Sequence, residues 1–134
     1  MPPPFQISAL DHIVLRVRDV ATVVSFYQAV IGCTLERELP ELGLYQLRCG
    51  ASLIDLVPVD GKLGAIGGAP PGKEGRNLEH FAIGIQPFDE SAIREHLARH
   101  GVDVIDSGQR YGAGGMGPSI YIRDPEGTVV ELKG

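Results

Sequence analysis

The chain has 134 residues, of which 43% are hydrophobic and 22% charged, and its formal net charge is −5. This composition is typical of one globular domain, or of two small modules with a shared core. The mild negative charge and the lack of a Lys/Arg-rich run argue against nucleic acid as a partner. No apolar run approaches the roughly 20 residues of a membrane span, and the first ten residues do not resemble a secretory signal. We therefore expect a cytoplasmic protein whose two cysteines, Cys33 and Cys49, are reduced. We interpret them as residues that fill space in the core, and a thiol nucleophile at either position is the alternative.

The first predicted strand occurs twice. The stretches "LDHIVLRV", from Leu10, and "LEHFAIGI", from Leu78, both read Leu-acid-His followed by alternating apolar residues. Alternation with a period of two predicts a strand with one buried face. In both copies the larger apolar side chains share one face, and the histidine, His12 or His80, stands on the other. The repeat indicates a tandem duplication.

A helix is predicted after each of these strands. In the first half Asp19 is placed to cap the helix and Gly32 to end it, and in the second half Asp89 and Gly101 take the same positions. Both segments carry apolar residues at the i, i+3, i+4 spacing of a helix that covers a sheet.

Each helix is followed by three predicted strands, so each half has the order β-α-β-β-β. We expect one domain, 1–134, made of modules 9–57 and 77–133. The predicted strands cover Thr34–Leu39, Leu42–Arg48 and Ser52–Val57 in the first half, and Asp103–Asp106, Ser119–Arg123 and Thr128–Lys133 in the second.

Two segments lack a regular pattern. Residues 58–76 are rich in Gly and Pro, and we interpret them either as a mobile linker or as a lid over a site. The second segment, "GQRYGAGGMGPS", lacks the strand–turn–helix context of a phosphate-binding loop, so we expect a flexible loop over the site.

The predicted fold class is α+β, with two curved mixed sheets that form a cup and helices on the outside. Asp55 and Glu131 are the only acids in otherwise apolar strands, and they occupy the same position of the repeat. Together with His12 and His80 they are expected to converge inside the cup. Two imidazoles and two carboxylates suit one divalent ion, which we leave open as Zn, Ni, Co, Mn or Fe.

The order of elements, the opening "LDHIVLRVRDVATVVSFYQAVIG" and the ending "IYIRDPEGTVVELKG" resemble the vicinal oxygen chelate superfamily. That superfamily contains glyoxalase I, bleomycin-resistance proteins, extradiol dioxygenases and fosfomycin-resistance proteins. The likeness spans Leu10 to Leu132 and is greatest to the poorly characterised glyoxalase-domain group. It implies metal ligands at His12, Asp55, His80 and Glu131. Asp55 departs from the Glu, Gln or His that is usual at its position.

The resemblance implies a metal-dependent lyase or isomerase of the glyoxalase I type that acts on a small oxygen-chelating molecule. Glu131 is then the first candidate for the catalytic base, and Asp55 is the second. One alternative is an Fe(II) or Mn(II) extradiol-type dioxygenase that uses a His12, His80, Glu131 triad. A fosfomycin-type thiol transferase is a further enzyme option, and the last alternative is a binding or resistance protein without turnover.

Strand parity and neighbouring loops suggest which side chains contact a substrate. Curved sheets of the resembled kind often pair across subunits, which implies a homodimer, and whether one chain or two complete the cup stays open. The candidate substrate contacts are Gln46, Arg48, Arg110, Tyr111 and Tyr121.

Overall fold

A computed structural model describes the whole chain, residues 1–134. It contains two α-helices and eight strands, and the order β-α-β-β-β occurs twice, as predicted. None of the helices has the length and apolar character of a segment that crosses a bilayer. The elements are β1 (His12–Val17), α1 (Val20–Phe26), β2 (Thr34–Leu39), β3 (Leu44–Cys49), β4 (Ser52–Pro58), β5 (Phe81–Gly84), α2 (Glu90–Arg99), β6 (Asp106–Gly112), β7 (Gly115–Arg123) and β8 (Val129–Lys133).

The strands form two mixed sheets of four, with the orders β1-β4-β3-β2 and β5-β8-β7-β6. In each sheet the first strand of the module runs parallel to the last one, and the other neighbours are antiparallel. The two sheets thus have one topology, which confirms the α+β fold class and the duplication.

The helix ends lie where the capping residues predicted them. The Asp19 carboxylate accepts a bond from the backbone of the first turn of α1, and Asp89 does the same for α2. After α1 the chain continues as a π-helical turn, Tyr27–Ile31, and stops at Gly32, whose φ of 92° suits glycine. A wider π turn is a local irregularity that apolar spacing alone does not reveal.

A single core joins the two modules. The Tyr27 hydroxyl donates a buried hydrogen bond of 2.8 Å to Asp124 of the second module. The His96 ring in α2 contacts the Val30 carbonyl oxygen at 2.9 Å. The buried apolar residues come from both sheets and both helices: Leu15, Val17, Val23, Phe26, Tyr27, Cys33, Leu47, Ile54, Leu56, Leu97, Ile120, Ile122, Val130 and Leu132.

The prediction for the Gly-rich segment was wrong. β6 covers Asp106–Gly112 instead of Asp103–Asp106, and it forms a hairpin with β7 in which Gly112 pairs with Gly115. Glycine normally weakens a strand, but here it lets other groups come close. A Cβ on Gly117 would lie 2.5 Å from the Gly134 carbonyl oxygen and 2.9 Å from the Lys133 amine nitrogen. The segment is therefore the edge of the second sheet and not a flexible loop.

The segment between the modules is attached to the first sheet. It contains a 3-10 turn, Gly64–Gly67. The Arg16 guanidinium donates to the carbonyl oxygens of Gly64, Gly68 and Ala69 at 2.9, 2.6 and 3.0 Å. Arg16 shares the face of β1 that carries His12, because side chains alternate along a strand. The segment is thus anchored at the end of the histidine-bearing face.

Candidate metal centre

The first pair of candidate ligands comes from the adjacent parallel strands β1 and β4. Asp55 is only 4% exposed although it carries a carboxylate. Its Oδ2 lies 3.8 Å from Nε2 of His12. Gln46, the residue opposite Asp55 on β3, donates from Nε2 to both carboxylate oxygens at 3.3 Å. Register and parity therefore bring these side chains to one point on the inner face of the first sheet.

The second pair has the same construction in the other sheet. Glu131 on β8 is 6% exposed. Its Oε1 lies 3.1 Å from Nε2 of His80, which directly precedes β5. The Ser119 hydroxyl on β7 donates to Oε2 at 2.5 Å. Both oxygens of this carboxylate are thereby oriented.

Each histidine is held between two acids. The Asp11 carboxylate lies 2.7 Å from Nδ1 of His12, and Glu79 contacts Nδ1 of His80 in the same way. The hydrogen bond with Asp11, followed by the charge of Asp55, raises the pKa of His12. The hydrogen bond with Glu79 likewise raises the pKa of His80. A carboxylate on Nδ1 fixes the ring and leaves Nε2 to face the site, as at many histidine–metal sites.

The two pairs remain separate within one chain. No group of three or more His, Cys, Asp or Glu side chains lies close enough to hold a metal ion. His12 and His80 do line the same open cleft, of about 690 Å³, between β1 and β5. Val14, the next residue on the inner face of β1, is 51% exposed. The inner face of the single chain is thus open.

The aromatic and basic residues around Glu131 extend the second pair. Tyr121 pairs with Glu131 across the strands, and its ring lies at 77° to the His80 ring, with the two ring centroids 5.6 Å apart. The Arg110 guanidinium lies 5.7 Å above the Tyr121 ring. Burial, followed by the neighbouring Glu131 carboxylate, raises the pKa of Tyr121, so the phenol keeps its proton. Because Tyr121 lies directly opposite Glu131, its side chain faces the same side of the sheet as the carboxylate.

The other residues predicted to contact a substrate have three different surroundings. Tyr111 is 82% exposed and shares an open cavity of about 970 Å³ with His80 and Glu131. Gln46 bonds to Asp55, as described above. Arg48 lies on the same face but forms a two-point ion pair with Glu36 at 3.0 and 2.9 Å, which occupies its guanidinium.

Asp11, Glu79 and Ser119 were not among the predicted site residues. The signal for the two acids was present, because the repeated pattern is Leu-acid-His and not histidine alone. Ser119 has no such signal. Its contact with Glu131 depends on the register of β7 against β8, in which Ser119 pairs with Lys133.

Similar proteins share this fold along almost its whole length. Virulence protein STM3117 of Salmonella typhimurium is 28% identical over 131 residues, which cover 94% of this chain and 83% of that protein. Its crystal structure superposes with a TM-score of 0.76 over 96% of this chain and 98% of that one, at 24% identity. Lactoylglutathione lyase from Agrobacterium tumefaciens has a TM-score of 0.67 at 22% identity, over 98% and 94% of the two chains.

The amino-acid sequence also matches the model of a protein family. The family model matches residues 9–132, a region that includes the first module, all but the last residue of the second module, and all four candidate ligands. The chain therefore belongs to the Glyoxalase/Bleomycin resistance protein/Dioxygenase superfamily.

Proposed function

We propose that this protein is a metal-dependent enzyme that performs glyoxalase-I-like lyase or isomerase chemistry on a small oxygen-chelating substrate in the cytoplasm. The observation that supports this most is the repeated pair of a buried carboxylate and an imidazole, Asp55 with His12 and Glu131 with His80. Burying two carboxylates is costly unless they acquire charged partners. A cation between the pairs would meet that need.

The donor set fits one divalent ion of the Zn, Ni, Co, Mn or Fe type. His12, Asp55, His80 and Glu131 would hold it, and Asp11 and Glu79 would orient the two rings from behind. When bound, the ion would act as a Lewis acid toward neighbouring oxygens of the substrate. Counting Asp11 and Glu79, four carboxylates adjoin the two imidazoles. This local excess of negative charge favours a cation between the pairs.

The separation of the pairs within one chain supports a homodimer as the active form. A two-fold axis places the same surface of each copy against the other. Such an axis would bring the His12 pair of one chain to the His80 pair of its partner, and it would do so twice. The open inner face, where Val14 is half exposed, leaves room for this approach.

The proposed chemical step is a proton transfer by Glu131. Its Oε2 is fixed by Ser119, while Oε1 points toward His80 at the cavity that a substrate would enter. In a hemithioacetal the carbon that bears sulfur also carries a hydrogen and a hydroxyl. Oε1 would accept the C–H proton and return it to the neighbouring carbonyl carbon. The hydroxyl would lose its proton and become the thioester carbonyl, while the former carbonyl oxygen would gain a proton, so that the product is a 2-hydroxy thioester. Tyr121 retains its hydroxyl proton and would donate to a substrate oxygen. A positioned carboxylate of this kind contributes about 10²–10⁴-fold to rate.

The test is turnover of a hemithioacetal, formed from a 2-oxoaldehyde and a thiol, by protein loaded with each metal in turn. We expect Glu131→Gln to reduce kcat at least about 100-fold. Glu95→Gln serves as the control, because Glu95 lies on the exposed face of α2 and forms an ion pair with Arg99. Full activity of Glu131→Gln, with metal bound, would exclude the assigned role.

One distance also favours a second candidate, an Fe(II) or Mn(II) extradiol-type dioxygenase. Asp55 lies farther from His12, at 3.8 Å, than Glu131 lies from His80, at 3.1 Å. If Asp55 stays off the ion, the remaining two histidines and one carboxylate leave positions for O₂ and substrate. Oxygen uptake with catechols after anaerobic iron loading separates this candidate from the first one.

A further inference from the structure

The two cysteines of the chain face each other across neighbouring strands. Thr34 of β2 pairs with Arg48 of β3, so the next position of the same ladder sets Cys33 opposite Cys49. Cys33 has the parity of Leu35 and Cys49 that of Leu47, which places both thiols on the core side of the sheet. The fold has thus brought together residues that are 16 positions apart in the sequence.

The backbone at this position leaves the pair close enough for a disulfide. The Cys33 amide donates to the Tyr27 carbonyl oxygen at 2.8 Å, at the end of the π turn. It is therefore not used for a ladder bond to Cys49. Opposite residues without that bond have Cα atoms about 4.5 Å apart and close side chains. This separation lies within the range that a disulfide spans.

The two thiols differ in access. Cys33 is 7% exposed and belongs to the core. Cys49 is half-buried, and together with Gly50 at the end of β3 it lines the cleft between β1 and β5. A hydrogen bond from the Cys33 thiol lowers the pKa of Cys49 to about 7, whereas the same contact and burial raise the pKa of Cys33. Cys49 is the thiol that a reagent from solution reaches first, and it is also the one that ionises more readily.

We propose that Cys33 and Cys49 form a thiol–disulfide exchange site that reacts with low-molecular-weight disulfides, with Cys49 as the attacking thiol and Cys33 as the resolving thiol. The Cys49 thiolate attacks one sulfur of R–S–S–R, the S–S bond breaks, and R–S⁻ leaves and takes up a proton. Cys33 then loses its proton and attacks Sγ of Cys49, and the second R–S⁻ leaves and is protonated. The protein dithiol and one R–S–S–R thus give one intrachain disulfide and two R–SH, with two electrons passed from the protein to the reagent.

The test treats the full-length, folded, metal-free protein with oxidised glutathione under anaerobic conditions and with a chelator present, so that metal-catalysed oxidation does not contribute. Intact-mass measurement should show wild-type protein with two hydrogens fewer and no added glutathione. Cys33→Ser should instead accumulate one glutathione on Cys49. Cys49→Ser should react much more slowly than either, because Cys33 is buried.

Circular dichroism of each variant checks that the fold is retained, and Cys33→Ala and Cys49→Ala replace any serine variant that unfolds. Two free thiols in the wild type after treatment, a disulfide between two chains, or an adduct formed first on Cys33 would overturn the proposal. The outcome does not depend on the proposed metal-dependent reaction, since neither thiol belongs to the four-ligand set.

Discussion

At the scale of single residues, each histidine of the site has two carboxylates with different tasks. Glu79 bonds to Nδ1 of His80, while Glu131 lies at Nε2. The carboxylate on Nδ1 stabilises the imidazolium, which is why the pKa of His80 is raised. The charged form of His80 is therefore favoured to a higher pH in the folded protein than in the unfolded one. This contribution to stability is complete below the unfolded pKa and is lost as the pH rises through the folded pKa.

Glu79→Gln should lower the pKa of His80 because it removes a negative charge from Nδ1. A proton NMR titration of the metal-free protein measures this value directly. The repeat provides the matched control, since Asp11→Asn should lower the pKa of His12 and leave that of His80 in place. An unchanged His80 titration in Glu79→Gln would contradict the role given to this acid.

Ser119→Ala should reduce hemithioacetal turnover about tenfold or more, because a hydrogen bond to a charged group contributes about 1.5–3 kcal/mol. Without the Ser119 hydroxyl, Oε2 of Glu131 loses a short hydrogen bond that orients the carboxylate. Steady-state kinetics with Ser91→Ala as the exposed control measure the effect. Equal kcat values for the two variants would show that Ser119 does not position Glu131.

The sequence predicted that each of the two acids lies beside a histidine, and it did not predict the contact of Ser119 with Glu131. Asp55 and Glu131 interrupt apolar strands at equivalent positions. Each could therefore be recognised as a candidate ligand from its own strand, without knowing which histidine lies beside it. Ser119 became a site residue only through the pairing of β7 with β8. A serine in a strand has no distinctive pattern, because its role depends on which residue lies next to it across the sheet.

At the scale of elements, the capped helices were predicted accurately and the Gly-rich hairpin was not. Asp19 and Asp89 act locally, through bonds within one helical turn, so nearby sequence is sufficient. The strand β6 depends on contacts with distant residues. Its hairpin partner β7 needs Gly117 because Lys133 and Gly134 pass close to its backbone. Local propensity therefore gave a loop where tertiary packing makes a strand.

The anchored segment between the modules gives a prediction about stability. Gly64→Ala should destabilise the protein by about 1–3 kcal/mol, the usual effect of adding an atom to a filled site. A Cβ there would lie 1.9 Å from the Pro58 carbonyl oxygen, which is backbone and cannot move aside. Gly72→Ala is the matched control, with no atom within 4 Å of the added carbon. Urea denaturation measures both, and equal midpoints would contradict the close packing of this turn.

At the scale of the whole molecule, the shared core explains why two duplicated modules form one unit. The buried hydrogen bond from Tyr27 to Asp124 connects the π-helical turn after α1 to the turn before β8. The sequence indicated the duplication, but it left open whether one chain or two complete the cup that would hold the candidate metal centre. That answer depends on the relative placement of the modules, and no local pattern encodes it. Within one chain the ligand pairs stay apart.

Mixing two inactive variants tests the proposed homodimer. His12→Ala and His80→Ala should each lose activity, since each lacks a ligand in both sites of its own dimer. Subunit exchange between them creates a dimer with one doubly altered site and one intact site. If half of the dimers are mixed, about one quarter of the wild-type activity should return. A site completed within one chain predicts no recovery after mixing, and turnover measured before and after exchange distinguishes the two cases.

Because each chain carries its donors as two separated pairs, catalytic output under the proposed pairing depends on association as well as on abundance. When chains are mostly dissociated, the number of complete sites falls with the square of their concentration. A cell that halves its supply of this chain in that range would lose more than half of the reaction. Gene dosage and promoter strength would then change the rate of the reaction more steeply than in simple proportion.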